Sequence, residues 1–193
     1  MLDVDLIDDP GVAAVALAPL RVRMLAELRE PASAATLAER IGLPRQKVNY
    51  HLRALEAQGL VEVAGERKHG GLTERLLVAT AASYVISPDA LGASAPDPAQ
   101  VRDRLSNRYL LALAARLVSE VGALARHAEA KGSRLATLAI DSEVGFATAE
   151  DRARFADELT ETITGLAAKY HHDGGRPHRL VVAAHPIQTE EAR

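Results

Sequence analysis

The chain has no cysteine and no tryptophan, and aromatic residues make up only 3% of its 193 positions. Without cysteine there are neither disulfides nor thiolate ligands for a metal. With two Phe and four Tyr in total, a core has to be assembled mainly from Leu, Val and Ala. No apolar run approaches the roughly 18 residues that span a bilayer. The opening MLDVDLIDD is acidic where a secretion signal is basic, so a cytoplasmic location is expected. Signatures of catalysis are missing as well. The Gly pairs at 70 and 174 lack the lysine and spacing of a phosphate loop, and Ser94, within GASAP, lacks the second Gly of a nucleophile elbow. No HExxH is present. The expectation is a protein that is no enzyme and needs no cofactor. Net positive charge is lacking too, at −3 overall, which at first argues against a polyanionic partner.

That argument fails once the charge is mapped. Residues 40 to 75 hold seven Lys or Arg against four Glu, a local balance of +3, while Asp3, Asp5, Asp8 and Asp9 crowd the start of the chain. Charge on a docking face sets phosphate affinity, and the total does not. The basic stretch begins with TLAERIGLPRQKVNYHLRAL, from Thr36 to Leu55. Leu37, Ala38 and Ile41 stripe a first helix that Gly42 ends. Leu43-Pro44 makes a turn, with Pro at the first position of a second helix. Val48, Leu52 and Leu55 then recur at helical spacing, which leaves Arg45, Gln46, Lys47, Asn49, Tyr50 and Arg53 on the outer side. Arg, Gln and Asn pair bidentately with guanine or adenine edges in a major groove wide enough for a helix, so the pattern points to double-stranded DNA. The competing account is a helical hairpin whose polar face only meets water.

Upstream, short helices are expected over Pro10 to Leu17 and Pro19 to Arg29, with Pro31 as a stop and Ser33 as the cap of the next helix. Downstream, LVEVAGERKHGGLTERLLVAT reads as a hairpin in which Val61 and Val63 face one way, as do Leu76 and Val78 on the return strand. Its tip, Arg67-Lys68-His69-Gly70-Gly71, is basic and Gly-rich. A basic hairpin directly behind a base-reading helix is a wing, placed to touch the DNA backbone or minor groove.

The block from Pro19 to Ile86 resembles the bacterial ArsR-type winged-helix transcription regulators. APLRVRMLAEL, LAERIGL and VNYHLRALEAQGLVEV carry the likeness, above all His51-Leu52-Arg53, Leu55 and Gly59-Leu60-Val61. The resemblance implies a homodimer that binds an operator, most simply as a repressor, under control of a signal. It places Arg45, Gln46, Asn49 and Tyr50 near bases, with Arg53 and the wing residues Arg67 and Lys68 near phosphates. His51 either touches the DNA backbone or packs at the helix edge, and packing is the favoured account. The Cys-x-Cys pair of the family's thiol-based metal sensors is replaced by Ser33 and Ala35. Along a terminal dimer helix only His127 stands near acids, Glu120 and Glu129, which makes a weak metal site.

The rest of the chain gives a mainly α architecture with a small β content. Residues 1–87 form the winged helix-turn-helix domain, 88–97 a linker, and 98–193 a dimerisation or effector α/β domain. Asp97 as N-cap with Pro98 after it starts a long helix that runs to about Lys131. Its stripe of Val101, Leu105, Leu113, Leu117, Val121 and Leu124, kept slim by alanines, is suited to pairing with a second copy. A strand-helix-strand unit follows: alternation over 136–146, a helix capped by Thr148 and Asp151 and striped by Phe155, Leu159, Ile163, Leu166 and Tyr170, then RLVVAAHPI. A sheet face opposite that helix would offer a mostly apolar pocket for a small-molecule effector, with Arg108, Asp141, Glu143 and His185 as its polar groups. The same unit would serve equally well merely to enlarge a dimer interface. His171, His172, His178 and His185 have no fixed ligand spacing, so no metal is expected. The alternative function is a winged helix that docks protein or RNA without reading operators.

Overall fold

The computed structural model describes residues 1–69 and 72–187, the side chains of His69 and Leu72 excepted. Its chain divides into two compact units, residues 1–134 and 135–193.

The first unit opens with β1 (Asp5–Ile7), then α1 (Pro10–Ala16) and α2 (Pro19–Glu27). Asp9 caps α1 by accepting from the Val12 amide. α3 (Ala34–Ile41) starts where the Ser33 hydroxyl accepts from the Thr36 amide at 3.2 Å. It stops at Gly42, whose φ of 69° is the left-handed conformation in which a side chain is strained. The Leu43 amide then closes back on the Ala38 carbonyl at 3.0 Å. α4 (Arg45–Ala57) begins one residue past the expected start, because Pro44 is its cap with extended ψ and not its first helical residue. Boundaries read from sequence commonly move by a residue or two.

Met24, Leu28, Leu37, Val48, Leu55 and Leu60 are the fully buried centre of this unit. Behind them lies an antiparallel hairpin, β2 (Val61–His69) and β3 (Leu72–Ala79). The inward residues are Val61, Leu77 and Ala79, whereas Val63 is exposed and Leu76 and Val78 are only partly covered. The expected inward set was therefore out by one on the return strand. A bulge between Val63 and Gly65 inserts an extra residue, and strand alternation cannot be carried through such a shift. Mutual backbone bonds of 2.9 Å between Ala32 and Leu77 lock the strand to the chain just before α3.

The N-terminus carries an unexpected strand. β1 pairs in parallel with β4 (Tyr84–Ile86), Asp5 opposite Tyr84 and Ile7 opposite Ile86. The Tyr84 hydroxyl donates to the Leu60 carbonyl at 3.0 Å, tying this small sheet to the end of α4.

The stretch expected as a linker is folded. Single turns of 3-10 helix occupy Pro88–Ser94 and Pro98–Gln100, with Pro98 buried and both turns in contact with α5. α5 itself spans Asn107–Ala130, capped by Ser106, so it begins nine residues later than expected. Asp97 does cap, accepting from the Ala99 amide at 2.9 Å, but only for one turn. Asp103 then takes the Leu105 amide on its carboxylate, and the Ser106 hydroxyl on its carbonyl. Such local bonds compete with helix propagation. The helix ends as expected, with Gly132 left-handed after Lys131. Gly122 lets it lie close to β1, since a Cβ there would fall 1.9 Å from Leu6 Cδ2.

In the second unit α6 (Ala149–Tyr170) forms as expected, with Thr148 accepting from the Asp151 amide at 3.0 Å. The two flanking strands do not. Among the described residues neither 135–146 nor 177–187 is paired into a sheet. Alternation makes a segment competent for a strand, but a strand exists only when another supplies its hydrogen-bond partners.

Leu55→Ala should lower stability by about 2–5 kcal/mol in urea unfolding, because it empties a fully buried site between α4 and its neighbours. Tyr50→Ala, on the opposite and exposed side, should change it by no more than about 0.5 kcal/mol.

Candidate nucleic-acid interface

α4 has two faces with different tasks. Val48, Leu52 and Leu55 are buried against the rest of the first unit, which fixes the rotation of the helix about its axis. Arg45, Gln46, Lys47, Tyr50 and Arg53 are then held outward and exposed, with Asn49 half-buried at the edge. No side chain caps the first turn of α4, and Pro44 has no amide to spare. The amides of residues 45–47 therefore lack helical acceptors, and the positive end of the helix dipole adds to them. This arrangement suits a phosphate oxygen. Sequence reasoning missed this feature; the Leu-Pro pair in place of Ser, Thr or Asp was the available signal.

His51 sits beside Tyr50, ring edge towards ring face with centroids 5.2 Å apart. Its Nδ1 is buried without a hydrogen-bond partner among the described residues. Burial, and then the nearby Arg21 and Lys47, hold its pKa below the ordinary 6.5. Packing at the helix edge is the role that sequence analysis favoured for it.

The hairpin is anchored to the start of α3. The Arg67 guanidinium donates to the Glu74 carboxylate at 3.1 Å and to the Thr36 hydroxyl at 3.4 Å. Hydrogen bonds from Arg67 and then from Ser33 hold the Glu74 pKa below the usual carboxylate value, with the charges of Arg67 and Arg45 adding to them. Arg67 is thus engaged within the fold, though its side chain stays half exposed. Lys68 is exposed on the same strand. Arg75 pairs with Glu56 and so joins the hairpin to α4. The expected tip residues Gly70 and Gly71, and the side chain of His69, lie outside the described residues.

The other expected residues are dispersed. On α5, Leu117, Val121 and Leu124 are exposed and Leu113 is partly covered, while Leu105 precedes the helix and is 99% exposed. Arg108 lines an open groove of about 510 Å³ with Gln100, Arg102, Asp103 and Asn107, at the start of α5. Asp141, Glu143 and His185 are exposed in the second unit, and His185 Nδ1 meets only the Pro186 carbonyl among the described residues. With no sheet formed there, the expected pocket between a sheet face and α6 is absent from the described residues. Among them no three His, Asp or Glu are placed to hold a metal ion, and no helix is long and apolar enough to cross a membrane.

Residues 17–64 match the family described as "Helix-turn-helix domain", the stretch that contains α2, α3 and α4. No curated protein matches. Similar solved structures include two bacterial proteins. NolR from Sinorhizobium fredii is 19% identical over 64% of this chain and 84% of its own, with a TM-score of 0.30. An ArsR-like transcriptional regulator from Rhodococcus sp. RHA1 is 28% identical over 62% of this chain and 89% of its own, with a TM-score of 0.32.

Because His51 is held below 6.5 in the folded protein, folding should release its proton. Its contribution to stability is then complete above pH 6.5 and declines as the pH falls below that value. In thermal unfolding at a series of pH values, His51→Gln should lose this decline and gain on wild type as the medium is acidified below 6.5. Parallel curves for the two proteins would show that His51 is not desolvated.

Proposed function

We propose that the chain is a DNA-binding transcription regulator of the ArsR type, and that it acts as a dimeric repressor whose operator binding answers to a small ligand. The observation that carries this reading is the division of α4 into a buried apolar face and an exposed face of Arg45, Gln46, Lys47, Tyr50 and Arg53. Gln46 and Asn49 supply bidentate contacts to adenine edges, and Arg45 to guanine. The uncapped first turn of α4, together with the exposed Arg53 and Lys68, takes the phosphates that set register along the duplex. Arg67 contributes with whatever donor capacity Glu74 and Thr36 leave it.

Dimerisation falls to α5. Ala114, Leu117, Val121 and Leu124 recur at intervals of three, four and three, the seam spacing of paired helices, and all four are exposed. A dimer places two α4 helices against two half-sites, and an occupied operator excludes polymerase without any further surface. The effector part of the reading is supported by the groove at the start of α5, where Arg102 and Arg108 line a recess on the same helix that would carry the dimer seam.

Selection of genomic fragments by the purified protein tests the operator reading. Wild type should enrich a palindromic site. Gln46→Ala and Asn49→Ala should each relax that choice at a cost of about 1–3 kcal/mol, while Lys68→Ala should weaken all duplexes alike and flatten the salt slope by about one. Preserved operator preference in Asn49→Ala would reject α4 as the reader.

In sedimentation, Leu117→Glu should convert the wild-type dimer into monomer. An unchanged profile would reject the α5 seam.

A further inference from the structure

Seven Lys or Arg lie between residues 40 and 75, and the fold does not leave them equal. Arg40 stands 3.9 Å from Glu27, Arg75 2.5 Å from Glu56 and Arg67 3.1 Å from Glu74. Among the described residues no ion pair engages the other four, Arg45, Lys47, Arg53 and Lys68, and all four are exposed. The cations placed for DNA are thus the unbalanced ones, with Arg67 as the exception.

Arg67 and Glu74 stand directly opposite each other on β2 and β3, next to Lys68. The Glu74 side chain is only 12% exposed, against 50% for Arg67. Its carboxylate also accepts from the hydroxyl of Ser33, the cap of α3, and the charge of Arg45 acts on it from the start of α4. A partly covered pair of this kind is screened by salt less than an exposed one. A polyanion that approaches β2 therefore meets, in Arg67, a cation whose charge is already balanced. Counterion release follows the charge neutralised at phosphates, about 0.9 in salt slope for each, so a balanced pair offers donors but adds no salt dependence.

From this we infer that Glu74 limits the grip of the wing on phosphates: it neutralises Arg67 in place and leaves Lys68 as the unbalanced cation of β2 among the described residues. The inference rests on the DNA-binding reading above and adds to that interface a residue of opposite sign. Glu74 is a positioning residue, acting through Arg67 and not by touching the duplex.

Binding of a random-sequence duplex over a range of salt concentrations tests this, read as the slope of log affinity against log salt. Glu74→Gln keeps an oxygen for Ser33 but removes the charge, so the slope should steepen by about one. Arg67→Ala leaves the acid bare and should flatten the slope by about one. The Arg67→Ala/Glu74→Gln double variant should return to the wild-type slope. If Arg67 already neutralises a phosphate and Glu74 merely holds it there, Glu74→Gln shows an unchanged or flatter slope, and the double variant is flatter than wild type. Either result overturns the proposal. So does a Glu74→Gln protein that fails to fold in circular dichroism, since the carboxylate is then structural. A wild-type protein that holds no duplex at any salt rejects the DNA-binding reading itself. A salt-dependent wild type with an unmoved Glu74→Gln rejects the role of Glu74 alone.

Discussion

Everything that the first unit offers to a partner depends on how the inner face of α4 is buried. Val48, Leu52 and Leu55 are withdrawn from water against α3 and the hairpin, and each such side chain contributes about 1.5–3 kcal/mol. No other rotation of the helix buries all three. The outward direction of Arg45, Gln46, Lys47, Tyr50 and Arg53 is therefore a consequence of core packing, and so is the partial covering of Asn49. The exposed polar face is made of side chains that the core has no room for, arranged by apolar ones that it has.

Around this helix the fold is held by contacts that link distant parts of the chain. The Ala32–Leu77 bridge, the Tyr84 hydroxyl on the Leu60 carbonyl and the Arg67–Glu74–Ser33 group each join the hairpin or its sequel to the helices. They hold the paired part of the hairpin and α4 together, so the exposed side chains of α4 and of β2 up to Lys68 are set relative to one another. The Glu74 carboxylate is stabilised in its ionised form at neutral pH by the same bonds that restrain Arg67. Arg67 is thus committed within the fold, whereas Lys68 on the same strand is exposed.

The two units differ in how far local patterning could be trusted. In the first, Ser33, Gly42 and the apolar spacing of α3 and α4 each act within a few residues, and the helices form where those signals lie. The hairpin register was legible only up to the bulge after Val63. β1 was not legible at all, because three residues beside an acidic run acquire a strand only from Tyr84–Ile86, nearly eighty positions later. The start of α5 was misplaced since Asp97 caps a single turn only, and the helix begins after Ser106, whose hydroxyl also bonds the Asp103 carbonyl. In the second unit the capping of α6 by Thr148 was plain, but strand competence at 136–146 and 179–187 is not strand formation.

The sequence by itself determined the helix-turn-helix, the caps of α3 at Ser33 and Gly42, its buried stripe and the side chains left exposed on α4, for these follow from interactions between residues three or four apart. Tertiary structure alone decided the parallel pairing of β1 with β4, the engagement of Arg67 by Glu74 and Thr36, and the folding of 88–97 into turns beneath α5. Those features depend on strand register and on partners outside the local turn, from seven residues away for Glu74 to nearly eighty for β4, and local spacing does not say which group will arrive.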